Sequence, residues 1–391
     1  MDILKDKNWL ESAAVRIETE RAGIFVFQPS LNVEDLVLPL QRVIDAQNRF
    51  RSSPLSTVAN ELEREVVASS VFGTNTIEGG ELNEEQTQQV LDLEPDQIQE
   101  EQQRRVLNIK AAYDLALECA EVPDWRPSVD YIIEVHRKIT DRLPDTDNQP
   151  GLLRDTPKSR VTRVGDKEHG GIYKPPQNGR DVGRLLKALV EWDNELANQG
   201  VPALIRAPLF HLYFEWIHPF WDGNGRVGRV LEASILLSDG FRYAPFAQAR
   251  FYLTNIHKYF TLFNHCRKQR DNTPFVQLFL EGMLESIDRL HTRVNSLVSL
   301  ALFRNHLRDQ LEARRINKRQ YAIAVHALES GKPVSLKELR RSAWYKAMYA
   351  KLTHKTMQRD LRGLREQGLI HQTVRDEIWP GCVEPDRGVA K

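Results

Sequence analysis

The sequence predicts a mainly α-helical fold with a short β-hairpin flap in its middle and a winged helix-turn-helix domain at its C-terminal end. Three observations support this prediction. Apolar residues recur at three- and four-residue steps through most of the chain, as they do on the buried face of a helix. Residues 150–176 instead combine Gly, Pro and β-branched residues. From about residue 313 onward the chain becomes basic.

The periodic segments define the helices. In one of them Leu62, Val66 and Val67 lie among charged residues that occupy the other positions of the helical repeat. The predicted helical segments are 34–50, 55–72, 83–94, 98–119, 128–142, 180–198, 204–217, 226–239, 251–266, 274–311 and 317–330. The stretch 150–176 interrupts this series and is expected to form the hairpin or flap.

The C-terminal piece has its own layout. Between Ala313 and Arg375 there are fifteen Lys and Arg against four acidic residues, a balance typical of a surface that binds polyanions. Three helices are expected, followed by a β wing over residues 369–379. The second helix is expected to open with a capping box from Ser335 to Glu338, and the third to run from the cap Thr353 to a stop at Gly368.

Composition narrows the class of protein. Hydrophobic residues make up 41% and charged residues 28% of the chain, as in a folded globular protein. The 54 Lys and Arg balance 54 Asp and Glu, so the whole molecule has no net attraction to nucleic acid or membrane. Three cysteines without a short paired spacing argue against a disulfide framework and a zinc knuckle. No secretory signal and no long apolar run are apparent, so we expect a cytoplasmic protein without a membrane partner.

The segment HPFWDGNGRVGR, residues 218–229, follows an almost wholly apolar helical segment. Pro219 disfavours helical geometry at His218, and the glycines that follow allow a tight loop before the next buried helix. The free N–H groups at that helix's N-terminus and its dipole favour an anion there. Arg226 and Arg229 add two cations to the same positive end, which is unfavourable unless something anionic binds.

A chain of phosphates satisfies all these groups together. The loop amides and Asn224 would bind one phosphate, and the two arginines would bind the next ones. Asp222 would hold a Mg²⁺ ion that bridges phosphate oxygens, because Mg²⁺ takes few carboxylates beside phosphate and water. His218 could accept the proton of an incoming hydroxyl. The set indicates nucleotidyl or phosphoryl transfer.

Each feature alone also has an ordinary structural explanation. A histidine after an apolar helix is commonly a satisfied structural group, Gly-Asn-Gly is commonly a turn, and Arg229 could pair with Glu232. Their joint occurrence in twelve consecutive positions favours chemistry over packing. Four neighbouring residues are assigned to packing: His211, Trp216, Phe220 and Trp221.

The segment resembles a known family. It matches the signature H-x-F-x-[DE]-G-N-G-R-x-x-R of Fic-domain proteins at His218, Phe220, Asp222, Gly223, Asn224, Gly225, Arg226 and Arg229. The resemblance implies a Fic-type helical core with a β-hairpin flap, and an enzyme that moves AMP from ATP to a Ser, Thr or Tyr hydroxyl of a protein. It covers about residues 35–300.

The resemblance also assigns roles. It implies that His218 is the general base, that Asp222 is the Mg²⁺ ligand, and that Arg226 and Arg229 contact the β- and γ-phosphates. The anion hole for the α- and β-phosphates would consist of Asn224 with the amides of Gly223 and Gly225. The flap resemblance is looser and rests on Gly151, Arg154, Val164, Gly165, Tyr173, Pro175 and Pro176; the family's flap holds the target chain by strand addition. Tyr259 and Phe260 either wall the adenine site or pack in the core.

A second motif lies upstream. Residues 74–79, TNTIEG, resemble the family's inhibitory pattern [ST]-x-x-x-E-[GN]. Glu78 would lie at a helix C-terminus, where the dipole disfavours a carboxylate, so it needs a cation. An ion pair between Glu78 and Arg229 would meet this need and would withhold the arginine from ATP. The alternative is an ordinary C-cap with a solvated glutamate.

These predictions combine into one hypothesis. Residues 1–110 form an N-terminal helical region with the inhibitory motif, 111–305 the Fic core, and 306–391 the winged helix-turn-helix domain and tail. The predicted function is an autoinhibited protein adenylyltransferase that uses ATP and Mg²⁺ on a target protein. AMP removal or transfer of another phosphate-containing group stays open, as does a homodimer.

A nucleotide-sensing regulator that binds DNA is the other alternative, and its recognition helix would present Lys355, Gln358, Arg359, Arg362 and Arg365.

Overall fold

The computed structural model describes residues 13–54, 58–94, 97–144, 149–373 and 376–383. The N-terminal residues 1–12 and the start of the helix predicted from residue 55 lie outside this description. The described residues form two compact units, one made of 13–53 and 59–291 and the other of the remaining residues. Among them, no helix is both long enough and apolar enough to cross a bilayer.

The first unit begins with a β-hairpin that the sequence analysis did not assign. Strands β1 (Val15–Thr19) and β2 (Gly23–Phe27) pair antiparallel, with Val15 opposite Phe27. The Phe27 ring is buried against the rings of Trp192 and Tyr213, at centroid distances of 5.9 and 5.2 Å. The hairpin is therefore fixed to the helical body by aromatic packing.

Apart from the flap and the connecting loops, the rest of the first unit is helical, as the sequence pattern predicted. A break at Asn255 divides the predicted segment 251–266, so that one helix ends before it and another begins after it. The helices are α1 (Glu34–Arg51), α2 (Ala59–Ile77), α3 (Glu84–Leu91), α4 (Glu101–Ala120), α5 (Val129–Thr140), α6 (Gly179–Asn198), α7 (Ala203–Ile217), α8 (Asn224–Ser238), α9 (Ala244–Thr254), α10 (Ile256–Gln269) and α11 (Thr273–Glu312), which continues into the second unit.

Helices α7 and α8 form the centre of the first unit. Nearly every residue of both is buried, which explains why the sequence of α7 is apolar on almost all sides instead of amphipathic. In α8 the buried residues include the charged Arg226, Arg229 and Glu232. The one arginine within α7, Arg206, forms a buried ion pair of 3.0 Å with Asp193 of α6. The loop that joins α7 to α8 is therefore held between two elements that packing makes rigid.

The flap is less regular than the sequence suggested. Within residues 149–178, all of which are described, the strand-type pairing is limited to one antiparallel bridge between Val164 and Tyr173. Both residues of this bridge donate to each other's carbonyl oxygen at 3.0 Å. The predicted β-hairpin is thus reduced to a single bridge within an otherwise irregular loop.

The described part of the second unit comprises the C-terminal part of α11, four further helices and a small sheet, which pack around a core of their own. The sheet contains β3 (Val334–Ser335), β4 (Ile370–Gln372) and β5 (Glu377–Pro380) in the order β3-β5-β4, and both pairs are antiparallel. Its core includes Ile323, Leu339, Leu364 and Ile378. The elements after α11 are α12 (Lys318–Glu329), β3 (Val334–Ser335), α13 (Leu336–Arg341), α14 (Ala343–Tyr349), α15 (His354–Glu366), β4 (Ile370–Gln372) and β5 (Glu377–Pro380).

Three details of this unit differ from the prediction. The second predicted helix is divided into α13 and α14 at Ser342, which has extended backbone geometry. The predicted capping box is wrong, because the Ser335 side chain accepts no cap hydrogen bond. Ser335 belongs to β3 and pairs with Glu377 of β5, so sheet pairing fixes its geometry instead. Thr353 precedes α15 as predicted, but its side chain forms no cap bond either.

Candidate active site

Arg154 fixes the start of the loop between α7 and α8 by hydrogen bonds to its main chain. Helix α7 ends at Ile217, and His218 then adopts left-handed geometry with φ 51°. The fully buried Arg154 side chain donates to the carbonyls of His218 at 2.6 Å and Ile217 at 3.1 Å. These carbonyls have no acceptor role left inside the helix, so the guanidinium satisfies them. Burial lowers the pKa of Arg154 to about 10, which still leaves it charged at neutral pH.

The side chain of Asn224 braces the same loop. Its Oδ1 accepts the Phe220 N–H at 2.9 Å and its Nδ2 donates to the Phe220 carbonyl at 2.8 Å. The sequence predicted that this amide faces a phosphate. In the structure the loop itself engages both ends of the amide. Gly223, with φ 80°, allows the chain to turn directly from this brace into α8.

A buried histidine that the sequence analysis missed lies under the loop. His136 of α5 stacks on the Phe220 ring at 3.7 Å, with the ring planes 1° from parallel. Its Nδ1 accepts the Gly151 N–H at 2.9 Å and its Nε2 lies 3.1 Å from the Asp222 carbonyl. Burial lowers the pKa of His136 to about 4. The imidazole is therefore neutral at pH 7 and donates from Nε2 to the loop.

Asp222 of the loop forms an ion pair with Arg226 of the first turn of α8. Arg226 Nη2 donates to Asp222 Oδ2 at 2.5 Å. Burial raises the pKa of Asp222, but the guanidinium outweighs this effect and the pKa is lowered. Arg226 is nearly fully buried, and its Nε and Nη1 have no partner among the described residues. Buried donors without acceptors are costly, and an acceptor from a bound ligand would satisfy these two nitrogens.

Asp222 also fits a Mg²⁺ ligand. Its side chain is 44% exposed and remains ionised, as the lowered pKa requires. One partly exposed carboxylate beside an anion site is the donor set that Mg²⁺ uses when phosphate and water complete its coordination.

Glu78 and Arg229 are brought together across 151 positions of sequence. Arg229 Nη2 donates to Glu78 Oε1 at 2.7 Å and to the Thr74 carbonyl at 3.3 Å. Arg105 of α4 donates to the Glu78 carbonyl at 3.0 Å. Two arginines thus meet the C-terminal end of α2, where the helix dipole favours cations. The other predicted possibility was an ion pair between Arg229 and Glu232. The residues that the structure describes form no such pair, and Glu232 contacts His211 instead.

A chain of buried hydrogen bonds fixes the Arg229 guanidinium. Its Nη1 donates to the Tyr259 hydroxyl at 3.2 Å, which lies 3.1 Å from His211 Nε2. His211 Nδ1 in turn lies 2.8 Å from Glu232, which also accepts from the Tyr252 hydroxyl at 2.9 Å. Burial opposes the charge of Arg229, but its acceptors outweigh burial and raise the pKa. His211 is buried as predicted, and it also orients the site.

The Glu78 carboxylate lies directly against the first turn of α8. A Cβ atom added to Gly225 would lie 2.2 Å from Glu78 Oε1, so only glycine permits this approach. The first turn of α8 is where unpaired N–H groups and the dipole favour an anion. The carboxylate therefore lies beside the helix end at which the sequence predicted phosphate binding.

The ion pair of Glu78 and Arg229, the loop residue His218 and part of the flap line one cavity of about 320 Å³. Its walls include Glu78, His218, Gly225, Arg229 and Phe260. A second, larger cavity of about 490 Å³ shares only Tyr173 as a wall with the first and contains none of the predicted site residues. Tyr259 is almost wholly buried, also lines this cavity, and its hydroxyl accepts a hydrogen bond from Arg229.

Glu215 is a further residue of the cavity that the sequence analysis left out. Its Oε2 lies 3.7 Å from His218 Nδ1, longer than a hydrogen bond. The buried atoms Glu215 Oε1 and His218 Nδ1 both lack partners among the described residues. A small side-chain rotation would join them and would orient the imidazole.

Comparison with known proteins identifies the domain that contains the loop. Residues 126–236 match the sequence model of the Fic/DOC family. Protein adenylyltransferase fic-1 of Caenorhabditis elegans is 27% identical over 208 residues, which cover 52% of this chain and 38% of that protein. The chain thus spans about two fifths of the length of this relative.

Solved structures resemble the fold. The crystal structure of a Fic family protein from Desulfovibrio desulfuricans G20 has a TM-score of 0.57 at 21% identity and covers 88% of this chain and 95% of that one. A structure of Fic-1 from Caenorhabditis elegans has a TM-score of 0.51 at 24% identity and covers 66% of this chain and 72% of that one. At these identities the likeness concerns the fold alone.

Proposed function

The chain carries a Fic/DOC family domain, and from this premise we propose that it is a protein adenylyltransferase that moves AMP from ATP to a Ser, Thr or Tyr hydroxyl of a target protein. The observation that carries the proposal is the set of buried donors without partners among the described residues: Arg226 Nε and Nη1, and Arg229 Nε. They lie in the first two turns of α8, directly after the loop that begins at the cavity residue His218. A triphosphate provides the acceptors that these groups lack.

The reaction follows from the roles of the loop residues. His218 accepts the proton of the target hydroxyl as its oxygen attacks the α-phosphorus of ATP. A new O–P bond forms, the bond to the bridging oxygen of the β-phosphate breaks, and pyrophosphate leaves with the electron pair. The main-chain amides around Gly223 and Gly225 hold phosphate oxygens, while Asn224 keeps the loop in shape for them. Asp222 would hold Mg²⁺, which neutralises developing charge on the leaving group.

We propose further that Glu78 inhibits this reaction. Its carboxylate engages Arg229, which the γ-phosphate of a productively bound ATP needs, and it lies against Gly225. ATP must therefore bind in another pose or displace a charged hydrogen bond. Such bonds contribute about 1.5–3 kcal/mol.

Two variants and a control test this proposal with ATP labelled at the α-phosphate. Glu78→Gly should raise labelling of lysate proteins or of the chain itself by about tenfold to a hundredfold, the rate equivalent of that bond. Glu81→Gly, which removes a nearby exposed carboxylate, should leave labelling unchanged. His218→Ala in the Glu78→Gly background should lower it by about 10²–10⁴, the usual contribution of a general base.

Mass spectrometry of the labelled proteins identifies the transferred group and the modified residue. If Glu78→Gly labels nothing above the His218→Ala background, adenylyl transfer is wrong. If the wild type already equals Glu78→Gly, inhibition by Glu78 is wrong while the chemistry stands. Loss of AMP from a prelabelled protein in the presence of wild type, but not of Glu78→Gly, would instead support AMP removal.

A second candidate function belongs to the second unit. Five polar or basic residues of α15 are all exposed: Lys355, Gln358, Arg359, Arg362 and Arg365. The acidic residue between them, Asp360, is buried and binds Arg319 at 2.8 Å and the Tyr349 hydroxyl at 2.8 Å. Its charge is therefore neutralised internally and does not weaken the basic face. We propose that this face binds the phosphate backbone of DNA.

A further inference from the structure

Two histidines face each other where the flap meets α10. His169 Nε2 of the flap lies 2.9 Å from His257 Nδ1, while the ring centres are 5.1 Å apart. Because the nitrogens are much closer than the ring centres and the planes differ by only 15°, the rings meet edge to edge. Glu168 Oε1 lies 3.8 Å from His257 Nδ1. The ligand atoms of these three residues all lie within 4.8 Å of one another.

Asp166 determines which His169 nitrogen is free. Its carboxylate accepts from His169 Nδ1 at 2.9 Å and from the His169 main-chain N–H at 2.8 Å. The proton of the neutral ring is therefore on Nδ1, and Nε2 presents its lone pair to His257. A carboxylate behind the other nitrogen is the arrangement that orients histidines which bind metals.

The surrounding contacts hold the flap residues in place before any ion binds. The Gly171 N–H donates to the Asp166 carbonyl at 2.8 Å. Asn264 Nδ2 and Lys268 Nζ of α10 each donate to the Gly170 carbonyl at 2.8 Å. Since α10 also carries His257, the same helix that fastens the flap supplies the facing imidazole.

We propose that Glu168, His169 and His257 bind a divalent transition-metal ion of the Zn²⁺ class, and that this ion ties the flap to α10. Imidazole and carboxylate ligands suit Zn²⁺, Co²⁺ and Ni²⁺, whereas Mg²⁺ prefers oxygen ligands alone. Three protein ligands leave a fourth tetrahedral position for water. This site is separate from the Asp222 carboxylate.

Binding of an ion requires the side chains around His169 to rotate. Zn–N bonds of about 2.0–2.1 Å in a tetrahedral site need the two facing nitrogens to move apart and the His257 ring to turn, so that both lone pairs point at the ion. His257 and Glu168 are 76% and 74% exposed, so their side chains can rotate, whereas His169 is only 15% exposed and stays fixed. His169 and Asp166 also line the cavity that contains His218 and Arg229. A bound ion therefore fixes the flap wall of this cavity.

Titration of the full-length chain with Co²⁺, followed by absorption and by competition with Zn²⁺, tests the site. We expect one ion per chain with tetrahedral Co²⁺ bands that Mg²⁺ does not displace. His169→Ala and His257→Ala should each weaken binding by at least tenfold, and Asp166→Asn by about 10–100-fold as an outer-shell change. His265→Ala, which removes another exposed histidine of α10, is the matched control and should change nothing.

Hydrogen exchange gives a readout that does not depend on catalysis. Zn²⁺ should slow exchange of the amides in residues 164–173 in the wild type and not in His257→Ala. The proposal is overturned if no ion binds at micromolar concentration, or if the double variant His169→Ala/His257→Ala binds as the wild type does. Adenylyl transfer measured without added transition metal is a separate result, so failure of this site does not decide the proposed function.

Discussion

Two helices of this chain carry arginines three positions apart, and they use them in opposite ways. In α8 Arg226 and Arg229 are buried, and each binds a carboxylate. In α15 Arg359 and Arg362 have the same spacing but are exposed to solvent. Sequence spacing alone cannot distinguish the two cases. Burial converts one pair into a site whose donors need an anion, while the other remains a surface that salt can screen.

The largest effect that this comparison predicts concerns stability. Arg154→Met removes a buried guanidinium and leaves the carbonyls of Ile217 and His218 without donors. We expect a loss of about 2–4 kcal/mol in the free energy of unfolding of the first unit, measured with urea. Arg362→Met removes the same group from an exposed position and should change stability by less than about 0.5 kcal/mol. Equal effects would contradict the distinction between the two regions.

A smaller effect is expected from the histidine beneath the loop. The folded-state pKa of His136 is about 4, below the value of about 6.5 in an unfolded chain. Between these values the unfolded state binds more protons, so stability contributed by neutral His136 is present above pH 6.5 and falls as pH drops toward 4. The loss should reach about 3 kcal/mol. His136→Gln should flatten this pH dependence, and an unchanged slope would remove His136 as its cause.

The smallest effect should come from the exposed basic face. If α15 contacts DNA phosphates, Arg362→Gln should weaken binding equally across sequences and reduce the salt dependence by about one phosphate contact. Lys332→Gln, an exposed lysine outside α15, serves as the control and should have little effect. A wild-type chain without DNA affinity at low salt would exclude this function and leave α15 a solvated surface.

The helices and the loop could be predicted from the sequence because the patterns that indicate them involve only neighbouring residues. Periodicity predicted α6, α7 and α8 to within two residues, since each pattern lies in adjacent positions. The hairpin β1–β2 was missed because its register depends on aromatic partners far along the chain. The prediction of a capping box at Ser335 was wrong for a similar reason, because the backbone of Ser335 pairs with a strand distant in sequence.

The sequence by itself determined where the helices lie, that the segment from His218 to Arg229 is suited to bind an anion, and that Glu78 needs a cation. Only the tertiary structure decided which partners meet: Arg229 with Glu78 instead of Glu232, Arg154 under the loop, and Asn224 turned toward Phe220. The physical reason is that helix formation and terminal dipoles act over a few neighbouring residues. The choice among partners depends on which buried groups packing leaves within hydrogen-bond distance.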